Sequence, residues 1–300
     1  MIVIRTANGR AAALMVASML GFAFEDLFLK RAANAMPPGQ ILAILGLFGG
    51  LTFWILAARK GQPILCRDAI RGVALLRTLS EALAGGFYLA AMAVLPLSIN
   101  SAILQASPLM VTLGAALFLK EPVGWRRWFA ILVGFTGVMI ILRPSGEGLH
   151  IGGLLTLASV FALAARDLLT RRMPSHIGTF QVAAWAYLIL FPSGLLLMAA
   201  SGTGFVTITP VLALDLAGAL LIGIVAYWAV TAATREGEAS VVAPFRYTRL
   251  VFVMVLAVVF LGERPDIWTL AGSALIVGSG LYSFAREARR KALPKARRAG

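Results

Sequence analysis

Arg77 and Glu81 stand four residues apart in one long apolar run, and Arg246 and Arg249 stand three apart in another. Either spacing places both side chains on one face of a helix. Ionisable groups in such runs are costly in hydrocarbon and need a partner or a wet cavity. Arg77 and Glu81 therefore have two readings: an ion pair filling a helix interface, or a pair lining a cavity where Glu81 meets a solute or a proton. A desolvated carboxylate suits the second role. Arg249 falls at mid-depth, where a guanidinium offers a planar fork to a carboxylate, phosphate or imide-type oxygen. Arg246 is either a second cavity residue or a charge at the cytoplasmic rim.

Other residues join these. Asp26 and Lys30 have i,i+4 spacing, so Asp26 is expected to be neutralised by Lys30. Glu25 points about 100° away from Asp26 and is free to face a cavity. Tyr88, Tyr227 and Trp228 are either an interfacial aromatic belt or a ring-stacking wall around a solute. Trp185 and Tyr187 read as packing or lipid-facing residues. Gln105, beside Ser107 and Pro108, offers neutral hydrogen bonds at mid-depth, and the proline frees a backbone carbonyl. The expected substrate-binding set is Glu25, Arg77, Glu81, Tyr88, Gln105, Arg166, Tyr227, Trp228, Arg246 and Arg249. No catalytic residue, metal site or cofactor is expected. The two histidines, His150 and His176, fall in loops on opposite sides. There is no HExxH, GxSxG or phosphate-binding Gly-Lys-Ser/Thr motif, which removes ATP-driven transport and most membrane metalloenzymes.

The elements that must position these residues follow from composition. The 300-residue chain is 60% hydrophobic and 13% charged, against about 45–50% and about 25% in soluble domains. An all-α integral membrane protein is expected. Ten apolar segments cover 11–30, 38–58, 70–94, 98–119, 124–142, 150–171, 178–200, 211–233, 239–261 and 266–285, each about long enough to span a bilayer. Breaks carry Pro, Gly or charge, and no loop can hold a soluble domain. The single cysteine, Cys66, excludes an intramolecular disulfide. Nineteen of the 27 Lys and Arg lie in loops and tails on one side and four on the other. By the positive-inside rule both termini are cytoplasmic, in a bacterial inner membrane. The net charge of +14 is then a topology signal and a contact for anionic lipid, not a nucleic-acid surface.

The chain repeats itself. FEDLFLKR at 24–31 matches ARDLLTRR at 165–172, pairing Asp26 with Asp167 and Glu25 with Arg166. The same register pairs Gln40 with Gln181. Later, FLKE at 118–121 matches FLGE at 260–263, Trp125 pairs with Trp268, and Gly137 with Gly280. Each copy holds five spans. An odd number inverts the second copy, so two inverted five-helix repeats are expected, over 11–144 and 150–285, with a basic cytoplasmic tail at 286–300. Inverted repeats build secondary transporters with a mid-membrane substrate site.

The stretch LPLSINSAILQASPLMVTLGAALFLKEPVGWRRWFAILVGFTGVMIILRP, residues 95–144, resembles the EamA-type branch of the drug/metabolite transporter superfamily. The resemblance rests on a small-residue-rich fourth helix with central Pro108, a Leu-x-Glu ending in Glu121, and a fifth helix with Gly134 and Gly137. The second copy departs, with Leu250 where Pro108 maps and Arg249 where Ser107 maps. The resemblance implies alternating-access transport of a small organic metabolite. The first helix, with GFAFEDLFLK at 21–30, looks most like riboflavin-importing members. Amino acids and S-adenosylmethionine, as uptake or export, are the alternative cargoes. Expected partners are the solute, membrane lipids and protons, with a homodimer as a further candidate and no nucleic acid. A polytopic lipid-acting enzyme would need a dyad at one face, for which Glu236 and Glu238 near Arg235 are the loop cluster to consider. That enzyme, like a scaffold subunit, has no need of the inverted repeat.

Overall fold

The computed structural model describes residues 7–120, 124–143, 151–174, 176–237 and 239–296. Arg5, Glu121, Pro122, Pro144, Gly146, His150 and Glu238 lie outside the described residues, as do the side chains of Arg235 and of the tail beyond Arg286. Ten helices are long and apolar enough to cross a membrane. They are α1 Ala7–Ala33, α2 Pro38–Arg59, α3 Gly72–Val94, α4 Leu97–Phe118, α5 Trp125–Leu142, α6 Ile151–Thr170, α7 Thr179–Ser201, α8 Pro210–Glu236, α9 Ala243–Leu261 and α10 Ile267–Ala296. Helices satisfy every backbone group within one segment, which a bilayer core demands. Residues such as Leu51, Ile55, Phe129, Leu132, Leu214 and Val259 are exposed on the outside, as lipid contact requires.

Three spans are interrupted. In α4, Gln105 and Ala106 form a turn between helices Leu97–Leu104 and Ser107–Phe118. Pro108 has no N–H to give the Leu104 carbonyl, and the Ala106 amide turns back to Ile103 O at 3.0 Å. Leu250 replaces that proline in α9, yet α9 is irregular too: it opens with a 3-10 segment, Ala243–Tyr247, carrying Pro244. The third break, in α7, falls at Ile189, between Thr179–Leu188 and Leu190–Ser201.

Packing follows the inverted repeat. The first helix of each copy packs on the third helix of the other: α1 on α8, and α6 on α3. The same bond recurs in both places. Ser18 Oγ donates to Ala226 O at 2.8 Å, and Ser159 Oγ donates to Ala84 O at 2.9 Å. The second helices of the copies meet each other, as do the fifth: α2 on α7, and α5 on α10. Both self-related contacts run through glycine pairs. A Cβ added to Gly39 would meet Gly194 O, and one added to Gly194 would meet Gly39 O; Gly137 and Gly272 stand in the same reciprocal relation. Small residues let backbones approach closely in lipid.

The repeat-matched glutamines do matching work. Gln40 Nε2 donates to Val206 O at 2.7 Å and its Oε1 accepts from Val206 N at 2.8 Å, clasping the α7–α8 loop. Gln181 Nε2 donates to Pro63 O at 2.5 Å, clasping the α2–α3 loop, and Trp185 Nε1 adds a bond to Ile64 O at 2.9 Å. Each copy thus ties down a loop of the other. Glu263, at the end of α9, accepts from Leu97 N at 2.6 Å and from Ser98 N at 2.9 Å, satisfying orphan amides at the start of α4.

Candidate functional site

Among the described residues two ionic clusters sit inside the bundle, and each joins the two copies. The first is built on Asp26 of α1, which is 1% exposed. Arg249 of α9 holds it through one guanidinium edge, Nε to Oδ2 at 3.0 Å and Nη2 to both oxygens at 2.8 Å. Tyr88 of α3 donates its hydroxyl to Oδ1 at 2.9 Å. The Arg249 guanidinium also lies 5.3 Å from the Phe22 ring centroid, one helical turn before Asp26. A fork on a carboxylate is among the strongest pairings a protein makes. The Arg249 side chain stays 22% accessible although it lies well over a turn inside its helix, so the cluster borders open space.

The second cluster lies where α3 begins and α6 ends. Glu81 accepts from Arg77 Nη2 at 3.2 Å and from Arg166 Nη1 at 2.9 Å. Arg166 also holds Asp167 through Nε and Nη2, both at 2.9 Å. Arg77 Nε donates to Thr170 Oγ1 at 3.1 Å, while its buried Nη1 has no hydrogen-bond partner among the described residues. Arg246 is exposed, close enough to Asp167 and Arg166 for their charges to interact. Gln105, in the α4 break, donates to the Arg246 main-chain oxygen at 3.4 Å, joining the two interrupted helices.

The two clusters are related by the repeat, since Asp26 and Asp167 occupy matching places on α1 and α6. Such an arrangement can bind polar groups between two pseudo-symmetric halves. One family model, described as the EamA-like transporter family, matches the chain twice, at residues 9–143 and 150–284. The chain belongs to the EamA-like transporter family. It is a multi-pass membrane protein that carries a small metabolite.

Among curated relatives, this EamA-like transporter is 33% identical over 222 residues to a riboflavin transporter of Rhizobium johnstonii, covering 73% of this chain and 72% of that one. It is 32% identical over 176 residues to a riboflavin transporter of Vibrio cholerae, covering 59% of this chain and 58% of that one. A solved structure titled only as a crystal structure of a protein shares the fold, with a TM-score of 0.63 at 18% identity over 94% of this chain and 98% of that one.

Several expectations change in three dimensions. Lys30 does not neutralise Asp26; its Nζ donates to Met92 O at 2.7 Å and Leu95 O at 2.8 Å, at the end of α3. A lysine at a helix end reaches water and free terminal carbonyls at little cost, whereas the deeper Asp26 takes the partner that shares its burial. Trp228 turns outward and is 60% exposed, so it is not part of a ring wall with Tyr88. Its neighbour Tyr227 faces Phe53 of α2, ring centroids 5.5 Å apart, and one residue of helix turns Trp228 about 100° towards lipid. Tyr187 packs on the same Phe53 ring at 5.3 Å. Glu25 lies against Gly223 of α8, where an added Cβ would come within 2.7 Å of its Oε1. Asp26 and Asp167 belong to the clusters although the spacing rule gave them no such part. Their signal was the repeat itself, which aligns them.

Proposed function

We propose that this EamA-like transporter moves riboflavin, or a solute of the same kind, by alternating access through the space between the two repeats. The observation that carries the reading is the Asp26–Arg249–Tyr88 cluster, which borders open space deep in the bundle and joins the copies. A flat ring system with imide-type oxygens and a polyhydroxyl tail suits arginine forks, tyrosine hydroxyls and the Phe22 face. The named relatives support the same cargo. Glu25, Arg77, Glu81, Tyr88, Gln105, Arg166, Tyr227, Arg246 and Arg249 form the substrate-facing set in this reading, with Asp26 and Asp167 as the groups that hold the arginines in place. Amino acids or S-adenosylmethionine are the alternative cargo.

The protein acts as a carrier and not an enzyme, and lies in the bacterial inner membrane with both termini cytoplasmic. The cluster of Arg77, Glu81 and Arg166 then faces the cytoplasmic half. The basic cytoplasmic tail contacts anionic lipid at the membrane surface, and uptake draws on protons. Uptake of radiolabelled riboflavin into proteoliposomes, with and without an imposed pH gradient, tests the reading. Saturable uptake above empty liposomes is expected. Absence of uptake under either condition, from protein shown to be folded, would refute the cargo.

A further inference from the structure

Eight charged side chains occupy the two clusters and their surroundings: Glu25, Asp26, Arg77, Glu81, Arg166, Asp167, Arg246 and Arg249. Six are engaged with one another, Asp26 with Arg249, and Arg77, Glu81, Arg166 and Asp167 in a chain. The remaining two are Glu25 and Arg246. Glu25 is half-buried and makes no hydrogen bond or ion pair among the described residues. The charged and titratable groups within its reach are Asp26 on its own helix, Arg249 from α9 and Tyr187 from α7, and Gly223 of α8 leaves its carboxylate room. The first two are committed to each other.

Among the described residues the Arg246 guanidinium is likewise without a hydrogen bond or ion pair. Asp167, the nearest acid, is held by Arg166, and Gln105 touches only the Arg246 main chain. The two uncommitted charges are therefore opposite in sign. They also lie at different depths, because Arg246, in the 3-10 segment, precedes Arg249, the partner of Asp26, by roughly 5 Å along α9. A half-buried acid left unpaired is costly, and the exposed Arg246 guanidinium stands uncommitted beside the second cluster, so each is open to a group that arrives from outside the protein.

We infer that Glu25 and Arg246 are the two end-posts of the solute site, so that the cargo is two-ended: a donor or cationic group meets Glu25, and an acceptor or anionic group meets Arg246. This rests on the transport reading above and deepens it. The paired arginines and acids beside the posts cancel one another, so the site selects by the order of polarity along the solute and not by net charge. A neutral solute with donors at one end and acceptors at the other qualifies, as does a zwitterion. A purely cationic or purely anionic analogue fills one post and leaves the other empty.

The test uses the purified full-length chain in detergent and equilibrium dialysis of four probes. Riboflavin and tryptophan are two-ended; tryptamine and indole-3-acetate carry one post's partner each. At least one two-ended probe is expected to bind at least tenfold more tightly than both one-ended ones. Glu25→Gln and Arg246→Gln are each expected to raise its Kd about tenfold or more, the loss of one hydrogen bond to a charged group. The double variant should multiply the two losses, because the posts hold separate ends. Glu25→Asp and Arg246→Lys replace either variant that fails to give folded protein; a shorter or unforked post should weaken the same probe. Binding of tryptophan without riboflavin, with the variant effects intact, would remove riboflavin as cargo and leave the two posts standing. The inference is overturned if no two-ended probe binds, if a one-ended probe binds as well, or if either variant leaves the Kd within twofold. A double variant no weaker than the singles also overturns it, since the two residues would then be partners of each other.

Discussion

Removing Arg249 should damage the protein before it damages transport. Asp26 is 1% exposed, and Arg249 and Tyr88 are the whole of its side-chain hydrogen-bond support among the described residues. In Arg249→Gln the carboxylate loses its charged partner and keeps the tyrosine hydroxyl. Breaking a buried pair from one side costs about 3–5 kcal/mol. Asp26→Asn leaves the guanidinium unpaired instead, and the 22% accessibility of Arg249 lets water offset part of that, so the cost should fall at the low end of the range. Removing both charges, as Asp26→Asn with Arg249→Gln, leaves an amide pair that can still hydrogen-bond. The double variant should therefore be more stable than the sum of the singles by roughly 1.5–3 kcal/mol, the size expected for charged groups in direct contact. Unfolding of the four proteins by sodium dodecyl sulfate titration from detergent–lipid micelles measures this coupling. Additive costs to within about 0.5 kcal/mol would refute the argument that the pair is desolvated and mutually dependent.

Other outcomes follow from the same geometry. Glu263→Gln should cost about 1.5–3 kcal/mol in the same unfolding assay, since charge-assisted bonds to the α4 amides are lost; a change under 0.5 kcal/mol would contradict the capping role. Gly137→Leu should be among the most damaging substitutions, because the new side chain meets the α10 backbone at Gly272 and no flexible group can yield; overpacking costs about 1–3 kcal/mol or more, read as lost thermal stability. Trp228→Ala should leave solute uptake at the parent rate, as an outward residue would, and a severalfold loss would return it to the site. A C-terminal reporter fluorescent only in the cytoplasm should light up, and a silent one would contradict the proposed orientation.

The sequence made the spans legible because a bilayer imposes a length and a composition on each segment. It made the inversion legible because five spans per copy force it, and residues such as Gln40 and Gln181 kept their identity along with their task. The ion pair of Arg77 with Glu81 was readable from spacing, and the structure adds Arg166 as a second partner. The choice of partner for Asp26 was not readable. Spacing rules see neighbours on one helix, and by that rule Lys30 outranks Arg249, a residue eight spans away. Burial reverses the order, because the deep carboxylate needs a partner at its own depth while Lys30 has free carbonyls of α3 within reach. Trp228 failed for a related reason. Alignment with Tyr88 gave its level in the membrane but not its azimuth, and Phe53 drew Tyr227 inward and sent Trp228 out.

The glutamine clasps bear on how the protein is made. The α2–α3 loop is synthesised early, yet the side chain that fastens it, Gln181, emerges from the ribosome more than a hundred residues later. The start of α4 waits longer still for Glu263. The first half therefore enters the membrane with its turns unfastened and is finished by the second half. A nascent chain halted after the fifth span should hold its helices but not its loops, and supplying the second half as a separate polypeptide should complete it.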